Sequence, residues 1–91
     1  MTTKELFDKC KDLWGLEAQM LMLVEELNEL SVATLHLLRK PRLPSYLDNF
    51  SEEIADVELM LAEIKYYFQN DLIIDKYRKM KEERLRKIVN K

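Results

Sequence analysis

Glycine and proline interrupt this chain of 91 residues at only three positions, Gly15, Pro41 and Pro44. A fold of many short strands needs turn-formers at much closer spacing. What remains is a few long segments whose apolar residues recur every three or four positions, the period of an amphipathic helix. The fold class expected is all-α, with four helices. Hydrophobic residues are 47% and charged residues 35% of the chain, which excludes a disordered polymer and gives each helix one face to bury. Residues 1–91 read as a single domain, near the small end for a self-sufficient core.

The helix signals follow in order. Thr2-x-x-Glu5 is a capping box, so the first helix starts at Thr2 or Thr3 and carries Leu6, Phe7, Cys10, Leu13 and Trp14. Trp14 reads as core, and Gly15 breaks the pattern. The second helix runs from about Leu16 to Arg39. Lys40 to Asp48 is the one clear loop, with both prolines stopping helix and Lys40 and Arg42 solvated. The third helix starts near Asn49 or Ser51, where Asn49-x-x-Glu52 offers a cap, and reaches about Phe68. Gln69-Asn70-Asp71 is a turn, and Asn70 or Asp71 caps a fourth helix from about Leu72 to Val89.

Two acidic pairs dominate the middle helices. With Leu23 as reference, Leu23, Leu27, Leu30, Thr34 and Leu37 lie within about 40° of one direction, Glu26 about 60° to one side and Glu29 about 120°. On the third helix Ile54, Val57, Met60, Leu61, Ile64 and Phe68 form the stripe; Glu53 falls inside it and Asp56 on its edge. A carboxylate aimed at a packing face is costly unless it is paired or binds a cation. No Lys or Arg occurs within Leu16–Leu38 or Phe50–Ile64 to pair it. The arrangement points to a hard-metal site. The plainer alternative, a solvated acidic face, suffices for Glu25, Glu52 and Glu63 but not for Glu53.

The remaining composition narrows the function. A formal net charge of −2 gives no electrostatic case for nucleic-acid or acidic-membrane binding. The fourth helix is basic, but Glu82 and Glu83 interleave its cations. No apolar run resembles a secretion signal or approaches the length of a membrane span, and the single Cys10 fits a reducing compartment, so a cytoplasmic protein is expected. His36, the only histidine, has Ala33 three residues before it and not the acid of a di-iron bundle's Glu-x-x-His pair. Gln19 lies two turns before Glu26 and by itself reads as a surface residue.

Glu25-Glu26-x-x-Glu29 followed by Glu53-x-x-Asp56 resembles the EExxE…ExxD signature of the MazG-like, all-α nucleoside triphosphate pyrophosphohydrolases. Dimeric dUTPases, dCTP pyrophosphatases and phosphoribosyl-ATP pyrophosphohydrolases belong to that wider group. The likeness runs from Trp14-Gly15 and Gln19 through both acidic motifs to the Lys-rich last helix, and the chain is most similar to the short single-domain members found in phages and bacteria.

The resemblance implies a four-helix MazG-like bundle, assembled as a homotetramer in preference to a homodimer. It implies that Glu26, Glu29, Glu53 and Asp56 hold Mg²⁺, with Mn²⁺ as a substitute, and that a (d)NTP is cleaved between the α and β phosphates to (d)NMP and pyrophosphate. Glu29 is the implied catalytic base. Lys79, and less directly Arg84, would bind phosphate, while Trp14 and Gln19 would lie near the base. Relatives often follow the lysine with an Asn four residues on, where this chain has Glu83. The alternative from another class is a non-catalytic helical module that kept the fold for oligomerisation or partner binding.

Overall fold

The computed structural model describes residues 1–90; Lys91, the last of the basic run, lies outside them. Four helices, α1 (Thr3–Trp14), α2 (Leu16–Leu38), α3 (Pro44–Phe68) and α4 (Asp71–Val89), account for nearly all of it, and no strand occurs among the described residues. Thr2 caps α1 as its sequence predicts, its Oγ1 accepting from the Glu5 N–H at 3.1 Å. Gly15 joins α1 to α2 at φ 85°, a backbone conformation that side-chain-bearing residues rarely adopt.

The loop is shorter than the prolines imply. Pro44 does not stop a helix; it opens α3 at the first helical position, five residues before Asn49. There its fixed φ suits the helix and its missing N–H has no bond to lose. Asn49 is therefore an interior helical residue and not a cap. Gln69, in the left-handed region at φ 52°, ends α3. Asn70 precedes α4 but makes no side-chain cap bond, and its Oδ1 is buried without a partner.

α2 and α3 form a helical hairpin in which His36 faces Tyr46 near the loop and Met22 approaches Met60 at the far end. Its seam has heptad spacing. Gln19, Leu23, Glu26, Leu30, Ala33 and Leu37 line it from α2, and Phe50, Glu53, Val57, Met60, Ile64 and Tyr67 from α3, all buried or half-buried. This corrects the stripe drawn from the sequence: Leu27, Leu61 and Phe68 are 43%, 43% and 48% exposed. Glu26 belongs to the seam itself, and Leu27 turns outward.

α1 crosses the open end of the hairpin. Phe7 is buried, its ring 5.9 Å from that of Tyr66. The Tyr66 hydroxyl donates to Asp8 at 2.8 Å; that of Tyr67 lies 2.6 Å from the Phe7 carbonyl and 2.8 Å from Glu63 Oε2. Glu63, a solvated acid on sequence grounds, is thus buried and held by a phenol one turn away. Burial and the Glu63 bond push the Tyr67 phenol far above its ordinary value, and burial beside Glu63 raises the Cys10 thiol, which leaves little reactive thiolate. Tyr46, Tyr66 and Tyr67 are half-buried within the chain, whereas Phe68 is exposed.

α4 stands apart. It packs on no other helix to the extent that α1, α2 and α3 pack on one another, and Ile74 is the only residue along it that is not exposed. The expected four-helix bundle is, within one chain, three packed helices and a projecting fourth. The radius of gyration is 16.6 Å, against about 12 Å for a compact domain of this length. No described helix is long and apolar enough to cross a membrane.

Candidate metal centre

Glu26 and Glu29 on α2 meet Glu53 and Asp56 on α3 midway along the hairpin. Each offers a carboxylate oxygen, and these four oxygens lie within 4.8 Å of one another. The spacing of three residues puts each pair on adjacent turns of one helix side, and the hairpin register sets the pairs face to face. Glu26, Glu53 and Asp56 are half-buried; Glu29 is exposed at the mouth.

The electrostatics are uncompensated. Oε2 of Glu26 and Oε2 of Glu53 are buried with no hydrogen-bond partner. The ion pairs among the described residues all lie on α4, so none neutralises the cluster. Desolvation raises the Glu26 carboxyl above its ordinary value, and repulsion from Glu29, Asp56 and Glu53 adds to it. Desolvation, then Glu29 and Asp56, raises Glu53 likewise. Both shifts come from partial desolvation and from the crowding of like charges in the seam.

A hard divalent cation fits this donor set. Oxygens bound to Mg²⁺ sit about 2.1 Å from it, so neighbouring ligands are about 3 Å and opposite ones about 4.2 Å apart; four oxygens within 4.8 Å of one another would draw together around such an ion. The orphaned buried oxygens are the groups such an ion would satisfy. The all-oxygen donors exclude the sulfur and nitrogen chemistry of structural zinc.

Two clefts flank the cluster along the hairpin. One, of about 400 Å³, is lined by Trp14, Ala18, Gln19, Met22 and Met60. Gln19, read alone as a surface residue, is 6% exposed, while Trp14, read as core, is 62% exposed and walls the cleft. The other, of about 310 Å³, brings Asn28, His36 and Asn49 beside Glu29 and Glu53 over an apolar floor of Val32 and Ala33. On sequence grounds Asn49 reads as a helix cap and His36 as a plain helical residue, and Asn28 carries no reading; none of the three is expected beside the acids. His36 lies seven residues after Glu29, two turns along the same side, and that spacing was the available signal. Lys79 and Arg84 are exposed on α4 and are not brought to the cluster. Glu83 accepts from Arg86 at 3.2 Å.

Comparison of the chain with family models, with curated proteins and with solved structures gave no match. The geometry of the hairpin and the two acidic motifs therefore carry the functional argument on their own.

Proposed function

We propose that this chain is a Mg²⁺-dependent nucleoside triphosphate pyrophosphohydrolase of the MazG-like, all-α kind, acting on a (d)NTP to give (d)NMP and pyrophosphate. The observation that carries the reading is the convergence of Glu26, Glu29, Glu53 and Asp56 on one point, with two buried oxygens left unsatisfied. A helical scaffold has no use for acids in its packing seam, whereas a cation site requires them.

Glu26, Glu29, Glu53 and Asp56 would hold Mg²⁺, which would supply electrostatic stabilisation to the phosphate oxygens. Glu26, Glu53 and Asp56, held on two packed helices, fix the ion-binding oxygens. Glu29, exposed at the mouth, takes a proton from the water that attacks the α phosphorus. The bond from that phosphorus to the bridging oxygen breaks, and the oxygen leaves with pyrophosphate. The Trp14 indole offers a stacking surface and the Gln19 amide one donor and one acceptor for a base edge.

Four carboxylates and a triphosphate repel each other, and α2 and α3 bring no Lys or Arg beside the cluster. Lys79 and Arg84 are the candidates for the phosphate end, reached through assembly because α4 stands away from the site of its own chain. Assembly is favoured independently. The chain exposes 7574 Å², against about 5,600 Å² for a compact folded monomer of its mass. Twenty-four large hydrophobic residues are among those exposed. We therefore read the working form as a homo-oligomer.

The test is a panel of ribo- and deoxynucleoside triphosphates with Mg²⁺, scored separately for pyrophosphate and orthophosphate. Pyrophosphate with an equal yield of monophosphate is expected from at least one member. Orthophosphate alone would refute the bond assignment, and no turnover with no Mg²⁺ binding would leave the non-catalytic helical module as the reading.

A further inference from the structure

The cleft on the loop side of the acids has more hydrogen-bonding capacity than its surroundings use. Asn28 and His36 reach it from α2 and Asn49 from α3, beside Glu29 and Glu53. Each carboxamide brings two N–H donors and the imidazole at least one. Among the described residues, no side-chain hydrogen bond or ion pair engages any of the three. Asn28 and Asn49 are exposed, while His36 is half-buried with its ring 6.0 Å from that of Tyr46. Tyr46 stands in the first turn of α3, so the imidazole leans on a wall that the helix start fixes. A helical Cα–Cβ bond tilts toward the helix N-terminus. His36, two turns after Glu29, therefore leans back toward the acids, and Asn49, one turn before Glu53, leans toward His36.

Given the pyrophosphohydrolase reading above, on which this rests, we propose that Asn28, His36 and Asn49 hold the β and γ phosphates and so select a nucleoside triphosphate over the diphosphate. The acids lie between two clefts of unlike chemistry, and a nucleotide is linear. With the α phosphate at the acids, the base and the pyrophosphate extend in opposite directions along the hairpin. The Trp14 indole and the thioethers of Met22 and Met60 offer a flat ring an apolar, polarisable surface with the single amide of Gln19 beside it. The loop-side cleft has three donor side chains free, and phosphate oxygens are acceptors only. Neutral donors also suit a place next to Glu29 and Glu53. A Lys or Arg there would be drawn into ion pairs with the acids, whereas an amide or imidazole N–H stays available to phosphate. These donors supply direction and no charge, so Lys79 and Arg84 keep their proposed part at the phosphate end. A monophosphate is too short to reach the three, a diphosphate reaches some of them, and a triphosphate reaches all.

His36 is the only histidine, so its imidazole gives one unambiguous NMR signal in the full chain. With Mg²⁺ present, pyrophosphate should shift that signal and the nucleoside monophosphate product should not. Asn28→Ala, His36→Ala and Asn49→Ala should each raise the inhibition constant of pyrophosphate and the KM of the triphosphate about tenfold, the usual effect of losing a hydrogen bond to a charged group. Inhibition by the monophosphate should stay unchanged, and the preference for triphosphate over diphosphate should shrink. Asn49→Asp should weaken pyrophosphate more than Asn49→Ala, because it sets a like charge against the phosphates; a merely structural Asn49 gives no such order. Should His36→Ala unfold, the wild-type histidine signal and the two exposed asparagines carry the test. A signal moved by the monophosphate and not by pyrophosphate would overturn the proposal by placing the nucleoside end in this cleft. Pyrophosphate release with KM and product inhibition unmoved in all three variants would also overturn it, and would leave the pyrophosphohydrolase reading standing. No turnover of any triphosphate and no shift with pyrophosphate would overturn both.

Discussion

The α2–α3 hairpin and α4 are built from similar material and end in opposite situations. Both are long amphipathic helices rich in charge. The hairpin closes on itself, buries Ala33 and Val57, and encloses four like charges that nothing in the chain neutralises. α4 carries seven Lys and Arg against four Asp and Glu, pairs several of them along its own surface, and leaves Ile73, Tyr77 and Leu85 half or more exposed. One region buries a seam and leaves the charges within it unsatisfied; the other pairs part of its charge along its own surface and buries almost none of its apolar side chains. On the proposed reading, a cation would complete the first region and a second copy the other.

The largest effect expected is at Glu53. Glu53→Gln keeps the shape of the seam but removes one ligand charge, and turnover should fall by about a hundredfold or more. In wild type, Mg²⁺ at about one hundred times its Kd should stabilise the fold by about 2.7 kcal/mol, a shift of the order of 10 °C in Tm. The variant should lose that shift. An equal Mg²⁺ response in both proteins would remove the metal centre from the hairpin.

The same residue sharpens the contrast through pH. Glu26 and Glu53 hold their protons above the ordinary carboxylate range when folded. The folded state therefore binds protons that the unfolded state has already released, and metal-free stability falls as pH rises through that window. Without metal, Glu53→Gln should melt above wild type near neutral pH, and the gap should close as pH drops to about 4, the ordinary carboxylate range. With Mg²⁺ the order should reverse. Melting curves with chelator and with Mg²⁺ at several pH values would expose a cluster that is merely solvated, because then no reversal occurs.

A matched pair of substitutions compares packing directly. Val57 is 7% exposed in the hairpin seam and Val89 is 73% exposed on α4. Val57→Ala should cost about 2 kcal/mol through lost burial and the cavity left behind. Val89→Ala should stay within about 0.5 kcal/mol. Equal costs in urea unfolding would mean that α4 is covered in solution through that residue.

Much of this was legible in the sequence, and the failures have physical causes. The four helices and the placing of each acidic pair on one helix side follow from the 3.6-residue period, and the Thr2 cap from its capping box. The seam of α2 was misplaced toward Leu27 because α2 has two apolar stripes, and periodicity does not say which one its own chain covers. Pro44 looks like a stop in sequence because the same ring geometry that breaks a helix interior suits a helix start. Gln19 and Glu63 look like surface residues by type. Gln19 is buried where α2 meets its neighbours, and Glu63 is held by the Tyr67 hydroxyl and covered by α1, contacts made across the fold. Trp14 looked like core, yet it sits at the α1–α2 joint where no helix crosses it.

The smallest effect tests whether α4's charges are as self-contained as they look. Glu82 lies 3.5 Å from Arg78 and 3.6 Å from Arg86, and Arg86 also reaches Glu83 at 3.2 Å. All four side chains are about half or more exposed, so each pair contributes only a few tenths of a kcal/mol. Glu82→Gln should therefore lower stability by less than about 1 kcal/mol, and the loss should vanish in 1 M salt, where screening acts within about 3 Å. A larger loss that persists in high salt would mean that Glu82 meets a partner in a drier place. In that case α4 is an interface element in its own right, and the division of labour between it and the hairpin would have to be redrawn.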